Sequence, residues 1–446
     1  MVGDTAQMTL RRKRKSVGIV GAGVAGLSAA WHIGKHHDVT VYESQERIGG
    51  HSNTVTVHEA GRPIPIDTGF IVYNENTYPN LVALFDHLNV KTVPSHMSFA
   101  VSLEDGQVEY SGSGFGGLFA QKRNLMRPRF LSMLYDLIRF YRQAPQLLSR
   151  LDPILTLGDL LQRDRYGTAF TEDHLLPMAG AIWSAPPREL LAYPARAFIQ
   201  FFQNHGLFNL GERPVWRTVE GGSKSYVDKL VQAIGPRFRL GADITSITTD
   251  EHGVTVHDRK LGPQTHDALV IATPAHEALR LLDEPTREEQ ETLGSFRYSQ
   301  NIAYLHRDPT LMPKRRAVWS SWNHLSSGGQ AYISYWMNSL QKLDAAQDYF
   351  VTLNPPREPN RRLYSVIYEH PLFDTRALVA QKRLWSLQGK RGMWFCGSYC
   401  GSGFHEDALQ SGLAVAEMIS GLKRPWKAAH ESAPIAPIPA FQLAAE

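Results

Sequence analysis

Three glycines near the start of the chain have the spacing of a phosphate-binding turn. Gly21, Gly23 and Gly26 directly follow the apolar run from Ser16 to Val20, and residues with helical spacing come next. In a strand-to-helix turn the first glycine permits the tight bend, the second lets the backbone approach a pyrophosphate, and the third allows the helix to pack closely. The helix N-terminus adds free N–H groups and a partial positive charge. These residues therefore predict a site that binds phosphate groups.

A single acidic residue stands at the end of the next predicted strand. The run from Val39 to Tyr42 is apolar, and Glu43 follows it, about 20 residues after Gly21. A carboxylate in this position accepts hydrogen bonds from ribose hydroxyls. Strand, glycines, helix, second strand and acid at these intervals together predict a dinucleotide site in a Rossmann-like α/β domain.

Two more glycine-rich stretches carry related chemistry. Gly49 and Gly50 follow the acid, and near the C-terminus an apolar strand pattern stops at Gly397, ahead of a loop and a helix that begins near His405. The N-terminus of that helix would stabilise negative charge on a bound ring system. Both ends of the chain therefore carry signals of cofactor binding.

The second glycine pair and the stretch FCGSYCGSGFHED, which starts at Phe395, resemble motifs of the flavin amine oxidase and phytoene desaturase superfamily. The resemblance covers about Val17 to Leu422. It implies FAD as the cofactor, because NAD dehydrogenases do not usually have the second glycine pair. It also implies an α/β fold of the amine oxidase type, with a discontinuous Rossmann-like FAD-binding domain and an α+β substrate domain.

The residues expected to contact FAD on this resemblance come from several stretches of the chain. They are Gly21, Gly23, Val24, Ala25, Gly26, Glu43, Ser44, Arg47, Gly49, Gly50, His51, Thr68, Gly69, Phe70, Ile244, Thr273, Gly397, Ser398, Phe404, His405 and Ala408. Two arginines of the family are replaced here, by His51 after the glycine pair and by Gln45 after the acid. Backbone N–H groups are therefore expected to bind much of the diphosphate.

Two residues are candidates for the substrate side of the cofactor. His205 is the most plausible polar group in an aromatic-rich region, although a lone histidine is as well explained by a structural role. Phe404 is expected to face the flavin, where the resemblance places a tyrosine of the amine oxidases. The missing hydroxyl argues against a small amine as the substrate.

The pattern of the chain also predicts the domain boundaries. The FAD-binding domain is predicted at 16–111, 215–285 and 386–424, the substrate domain at 112–214 and 286–385, a basic arm at 1–15 and a disordered tail at 425–446. A second match to the glycine spacing, Gly112 to Gly117, is predicted to be a flexible loop. The residues from Met126 to Leu151 have the pattern of an amphipathic helix, so no second nucleotide domain is expected.

Composition limits the classes of function. The 446 residues are 43% hydrophobic and carry a formal charge of +4, which suits two globular domains and gives no sign of nucleic-acid binding. The sequence predicts no secretory leader and no membrane span, hence a cytoplasmic location. The run from Arg11 to Lys15 reads either as a solvated arm or as a peripheral anchor on the anionic inner face of the membrane. Two cysteines, Cys396 and Cys400, exclude a disulfide framework, and no metal site is expected.

The pattern most resembles a bacterial branch of amine oxidase-like flavoproteins that accompany or fuse to cyclopropane-fatty-acyl-phospholipid synthases. This resemblance implies an FAD-dependent oxidoreductase that desaturates a lipid, such as a methyl-branched acyl chain of a phospholipid, by hydride transfer to flavin N5. A synthase-like methyltransferase is the protein partner that it implies. The alternatives are an amine oxidase, a carotenoid-like desaturase, or a non-catalytic flavin-binding partner of a lipid methyltransferase.

Overall fold

The computed structural model describes residues 14–209 and 214–428. Most of the basic arm predicted at 1–15 and most of the disordered tail predicted at 425–446 lie outside the described residues. No helix among the described residues is both long enough and apolar enough to cross a membrane.

Twenty strands and fifteen α-helices alternate along the described residues. The strands are β1 (Ser16–Val20), β2 (Asp38–Tyr42), β3 (Thr54–Glu59), β4 (Arg62–Asp67), β5 (Tyr73–Asn74), β6 (Thr92–Ser95), β7 (Phe99–Leu103), β8 (Val108–Ser111), β9 (Trp216–Val219), β10 (Phe238–Arg239), β11 (Ile244–Asp250), β12 (Gly253–Asp258), β13 (Gly262–His266), β14 (Ala268–Ile271), β15 (Arg297–His306), β16 (Trp322–Ser327), β17 (Gln330–Trp336), β18 (Phe350–Leu353), β19 (Arg362–Leu372) and β20 (Met393–Phe395). The helices are α1 (Val24–Ile33), α2 (Pro79–His87), α3 (Gly114–Leu118), α4 (Pro128–Leu147), α5 (Leu157–Arg163), α6 (Thr168–Phe170), α7 (Leu176–Trp183), α8 (Pro187–Leu191), α9 (Ala195–Asn204), α10 (Lys224–Ile234), α11 (Ala275–Leu281), α12 (Arg287–Leu293), α13 (Met337–Leu340), α14 (Thr375–Leu387) and α15 (His405–Ser420).

A five-stranded parallel sheet forms the centre of the predicted cofactor domain. Its strand order is β10-β2-β1-β14-β20, and β1 pairs with β2 on one side and with β14 on the other. The apolar β1 suits this central place because helices cover both faces of such a sheet. Helices α1 and α15 pack so closely that a Cβ added at Gly412 would lie 2.1 Å from the Ala25 carbonyl oxygen. This arrangement confirms the predicted α/β class.

A seven-stranded mixed sheet forms the centre of the second domain. Its order is β19-β15-β18-β17-β16-β7-β8, and the long pair β15–β19 joins residues 297–306 to residues 362–372. Strands β7 and β8 belong to this sheet, because β16 pairs in parallel with β7 in the register Trp322↔Phe99. The predicted range 16–111 had placed both strands with the cofactor domain. That pairing links residues more than two hundred positions apart, so no local pattern signals it.

Helices α3 to α9 follow one another in the chain between β8 and β9. The amphipathic pattern predicted from Met126 to Leu151 forms α4, whose inner face buries Phe130, Met133 and Phe140. The second glycine run is not a loop throughout, because helix α3 begins at Gly114. It follows an antiparallel strand, β8, and so lacks the surroundings of a dinucleotide turn.

Candidate cofactor and substrate site

The three glycines of the first turn have different surroundings. Gly21 has a φ of +101°, and a Cβ on Gly26 would lie 1.9 Å from the Gly21 carbonyl oxygen. Gly23, in contrast, has no heavy atom within 4 Å of the place where a Cβ would be. Gly21 and Gly26 are thus needed for the turn and the packing of α1, whereas Gly23 borders open space. That open cradle fits a diphosphate, which needs close backbone approach at the second glycine.

The acid after β2 lies against the same turn. Glu43 accepts hydrogen bonds from the N–H groups of Ala22 (2.9 Å) and Gln45 (2.9 Å), and from the Ser44 hydroxyl (3.3 Å). Its backbone carbonyl accepts the N–H of Ala242, which brings the start of β11 at Ile244 close to the acid. These contacts hold the Glu43 carboxylate beside the glycine turn.

The second glycine pair packs on the first turn. The Gly49 N–H donates to the Ala22 carbonyl (2.9 Å), and a Cβ on Gly50 would lie 3.0 Å from the Gly23 Cα. Nearby, the Nη1 atom of Arg47 is buried and has no hydrogen-bond partner among the described residues. A buried guanidinium N–H without an acceptor is costly, and a phosphate oxygen is a strong acceptor for it. The residues present therefore fit the diphosphate of FAD.

The strand-to-turn segment after β14 closes the other side of the first turn. A Cβ on Gly21 would lie 2.9 Å from the Ala272 carbonyl oxygen, so Thr273 follows directly beside the glycines. The predicted contact residues Val24 and Ala25 form the first turn of α1.

The C-terminal motif places the N-terminus of α15 next to these elements. The Gly397 N–H donates to the Ser411 hydroxyl (3.0 Å), and Ser398 opens a short 3₁₀ turn. The Phe404 N–H donates to Asp407 (2.8 Å), and the Ala408 N–H bonds to the Phe404 carbonyl (3.1 Å). The loop and the first turn of α15 are thus held by their own hydrogen bonds.

His405, at the first position of α15, meets residues from three other parts of the chain. Its ring stacks on Phe70 with centroids 3.8 Å apart, and its Nε2 lies 2.7 Å from the Tyr226 hydroxyl. Burial, with a smaller contribution from His51, lowers the pKa of His405 to about 3. The imidazole is therefore neutral near pH 7.

The stretch Thr68–Gly69–Phe70 is fixed against the second glycine pair and β19. The Phe70 N–H donates to the His51 carbonyl (2.8 Å), and a Cβ on Gly69 would lie 2.2 Å from that same oxygen. The Thr68 and Tyr368 hydroxyls are 2.8 Å apart. Tyr226 and Tyr368 were missed by the sequence analysis, since tyrosines on a helix and a strand far along the chain have no local motif.

His51 occupies the place of a family arginine and contacts two rings of β19. Its ring stacks on Tyr368 at 4.8 Å and meets the edge of His370 at 5.5 Å. The surrounding protein lowers the pKa of His51 to about 4 by desolvation, yet the side chain has accessible surface. Burial likewise lowers the pKa of His370 to about 3.

His205 and Phe404 lie in one aromatic cluster. Phe404 stacks on Phe201 at 4.8 Å, and the His205 ring lies 3.8 Å from Phe201 and 5.9 Å from Phe404. His205 Nδ1 is 3.0 Å from the Phe201 carbonyl; because a carbonyl only accepts, Nδ1 carries the proton and Nε2 keeps a lone pair. Burial lowers the pKa of His205 to about 4.

Trp183 completes this cluster and was not singled out as a site residue. Its ring lies 4.6 Å from Phe201 and 6.4 Å from Phe404. Its indole N–H is buried, and the part of the chain that the structure describes offers it no acceptor. A buried tryptophan usually satisfies this donor, so the missing acceptor is a signal that only the folded structure reveals.

Comparison with known proteins supports the same assignment. The sequence profile described as flavin containing amine oxidoreductase matches residues 24–310. A Mycobacterium tuberculosis protein assigned as the flavin-containing monoamine oxidase AofH is 25% identical over 294 residues, which span 62% of this chain and 61% of that relative. Cyclohexylamine oxidase from Brevibacterium oxydans has a TM-score of 0.67 at 16% identity, over 92% of this chain and all (100%) of that one. A CLA-producing fatty acid isomerase from P. acnes has a TM-score of 0.63 at 14% identity, over 92% and 98%. These similarities confirm the predicted fold and FAD as the cofactor.

An Arg47→Gln variant should bind FAD less tightly. Glutamine keeps much of the length but loses the charge that a diphosphate would pair with, so we expect the FAD dissociation constant to rise about 10- to 100-fold. Titration of the apoprotein with FAD, followed by flavin fluorescence, measures this change. Arg237→Gln is the control, because Arg237 bonds to carbonyls of the loop after α1. An unchanged affinity in Arg47→Gln would remove this arginine from the diphosphate site.

Proposed function

We propose that this chain, which belongs to the flavin-containing amine oxidoreductase family, is an FAD-dependent oxidoreductase that removes hydrogen from a lipid acyl chain. A methyl-branched chain of a phospholipid is the substrate class that we favour. A methyltransferase acting on unsaturated acyl chains would then supply the substrate. The observation that carries the proposal is the unsatisfied donor of Trp183 within a neutral, aromatic cluster.

The residues proposed to hold FAD come from the first glycine turn, the segment from Glu43 to Gly50, the stretch from Thr68 to Phe70 and the C-terminal motif. The first turn and Arg47 would bind the diphosphate, and Glu43 the ribose. The N-terminus of α15 at His405 would lie by the ring, together with the backbone of Thr68 to Phe70. When bound, FAD supplies the redox chemistry by accepting a hydride at N5.

The aromatic cluster favours a substrate with a hydrocarbon chain and a hydrogen-bond acceptor. The rings of Phe201, Phe404 and Trp183 offer apolar contact, and two polar side chains lie against them: the neutral histidine His205, and Tyr193, whose ring is 5.1 Å from Trp183. An ester or carboxylate oxygen would satisfy the Trp183 N–H, whereas an ammonium group carries only donors. Acyl chains meet both requirements.

The chain's own residues would then position the substrate and exclude water. Desaturation removes a hydride and a proton from adjacent carbons and leaves a double bond between them. Bound FAD would supply the hydride acceptor, and the proton needs a neutral acceptor among the chain's own side chains. His205 Nε2 keeps a lone pair for that purpose, since Nδ1 donates to the Phe201 carbonyl. Oxygen or a membrane electron acceptor would reoxidise the enzyme.

Amine oxidation is the second candidate function. The parallel rings of Phe201 and Phe404, 4.8 Å apart, offer faces that attract a cation, and the cyclohexylamine oxidase shares the fold. The fatty acid isomerase shares it equally, so the fold does not distinguish the two substrate classes.

Anaerobic absorbance of the purified holoenzyme distinguishes these functions. We expect phospholipids with methyl-branched acyl chains to bleach the oxidised-flavin bands and to gain a double bond, seen by mass spectrometry. Bleaching by a polyamine and not by lipid would favour amine oxidation. A flavin indifferent to both would contradict both proposals and favour a non-catalytic role beside a lipid methyltransferase.

A Trp183→Phe variant tests the acceptor argument. The ring is kept while the N–H is lost, so KM for the acyl substrate should rise about 5- to 10-fold with kcat little changed, as for one neutral hydrogen bond. Steady-state kinetics measure the two constants separately. Trp385→Phe on α14 is the matched control. Equal kinetics for Trp183→Phe and the wild type would show that the substrate does not bond to this indole.

A further inference from the structure

An exposed apolar surface runs along helix α4 and the segment before it. Phe115 is 82% exposed, Met126 86% and Tyr135 69%, and three smaller exposures accompany them at Leu125, Leu131 and Ile138. Single exposed apolar residues are ordinary, but a contiguous group of this size marks an interaction site. We call these six residues the α4 face.

The α4 face follows from the geometry of the helix. Leu131, Tyr135 and Ile138 are separated by four and three residues and so share one side of α4, opposite the buried Phe130 and Met133. Helix α3 carries Phe115, whose ring stacks on Phe119 at 6.3 Å. Phe119 in turn contacts the buried Phe130 at 6.0 Å, which ties this part of the face to α4.

Several basic side chains near the α4 face have no carboxylate partner among the described residues. No carboxylate among the described residues pairs with Lys122, Arg123, Arg127 or Arg142; Arg123 and Arg127 both donate to the Gln107 carbonyl instead. Two arginines of α4 do have acidic partners. Arg129 binds Glu172 and Asp173, and Arg139 binds Asp136.

We propose that the α4 face docks on an anionic lipid bilayer. A helix with an apolar stripe and flanking Lys and Arg residues lies in the interface plane, with the apolar side chains among the acyl chains and the cations at the headgroups. Anionic headgroups complement the unpaired basic residues around this face. The inference does not depend on the substrate, since docking requires only the surface.

Vesicle flotation of the full-length holoenzyme tests the proposal. The probes are phosphatidylcholine vesicles with and without phosphatidylglycerol. One variant combines Phe115→Ser, Met126→Ser and Tyr135→Ser; a second combines Lys122→Glu and Arg142→Glu. The matched controls are Leu261→Ser with Ile367→Ser, two exposed apolar residues elsewhere, and Lys91→Glu with Lys382→Glu. A third test variant changes the N-terminal arm and carries Arg11→Gln, Arg12→Gln and Lys13→Gln.

We expect the wild type and the controls to float with phosphatidylglycerol vesicles, and both α4-face variants to bind at least about tenfold more weakly. Equal binding by the serine variant would overturn the proposal. So would binding that is lost only in the arm variant, or a wild type that binds no vesicles. A dimer that the serine variant disrupts, without vesicle binding, would assign the face to self-association instead. Flavin absorbance confirms that each variant is folded.

Discussion

A Gly23→Val variant should fold normally and purify almost without flavin. Gly23 has φ −74° and ψ 179°, which any residue adopts, and a Cβ there meets no protein atom within 4 Å. The added side chain would instead fill the space that a diphosphate needs. We expect FAD affinity to fall at least 100-fold, or about 2.7 kcal/mol, while the stability of the apoprotein changes by less than about 0.5 kcal/mol. The flavin-to-protein absorbance ratio and urea unfolding measure the two quantities.

Gly26→Val serves as the contrasting variant. Its Cβ would lie 1.9 Å from the Gly21 carbonyl oxygen, so it should lose stability as well as flavin. A Gly23→Val protein that keeps its full flavin content would show that the diphosphate does not cross this turn. A shared loss of stability in both variants would mean that Gly23 is needed for folding, not for binding.

A Gly412→Val variant should destabilise the protein by about 3 kcal/mol, the upper end of the range for overpacking. Its Cβ would lie 2.1 Å from the Ala25 carbonyl oxygen and 2.3 Å from the Ser28 hydroxyl, so α15 must move away from α1. Because both helices begin at the proposed FAD site, flavin should be lost together with stability. Urea unfolding of holoprotein and apoprotein measures both effects.

Met418→Val controls for the introduction of a β-branched side chain into α15. Met418 lies in the same helix but is only half-buried. The Met418→Val substitution should lower the free energy of unfolding by well under 1 kcal/mol, the size of a helix-propensity difference. If Gly412→Val lowered the free energy of unfolding no more than Met418→Val does, the contact between α1 and α15 would have to be loose enough to admit a side chain.

The cofactor elements could be predicted from the sequence because each consists of a short motif whose residues are adjacent in the chain. The glycine turn at Gly21, the acid Glu43 and the second pair at Gly49 all meet as the Rossmann pattern requires. The rest depends on contacts between distant segments. Tyr226 reaches His405, and Trp183 lies against Phe404, only after the chain has folded.

The same limit applies to the sheet that β7 and β8 join. The sequence pattern of a strand such as β7 predicts which side chains share a face, but it does not indicate which strand will pair with it. Its pairing with β16 depends on packing across the second domain. His205 is the opposite case. The sequence analysis identified the residue, and the structure then showed that it lies beside Phe404 and that its Nδ1 carries the proton.

The order of strands in the five-stranded sheet has a consequence for biosynthesis. The central β1 is made first, yet its neighbour β14 and the edge strand β20 come from the second half and the end of the chain. Such long-range pairings form late and slowly. The growing chain therefore has to keep its N-terminal apolar strand from aggregating until α15 has left the ribosome. At the proposed site, FAD can be bound stably only after β20 and α15 have been made, and its binding would then hold β1 to these later elements.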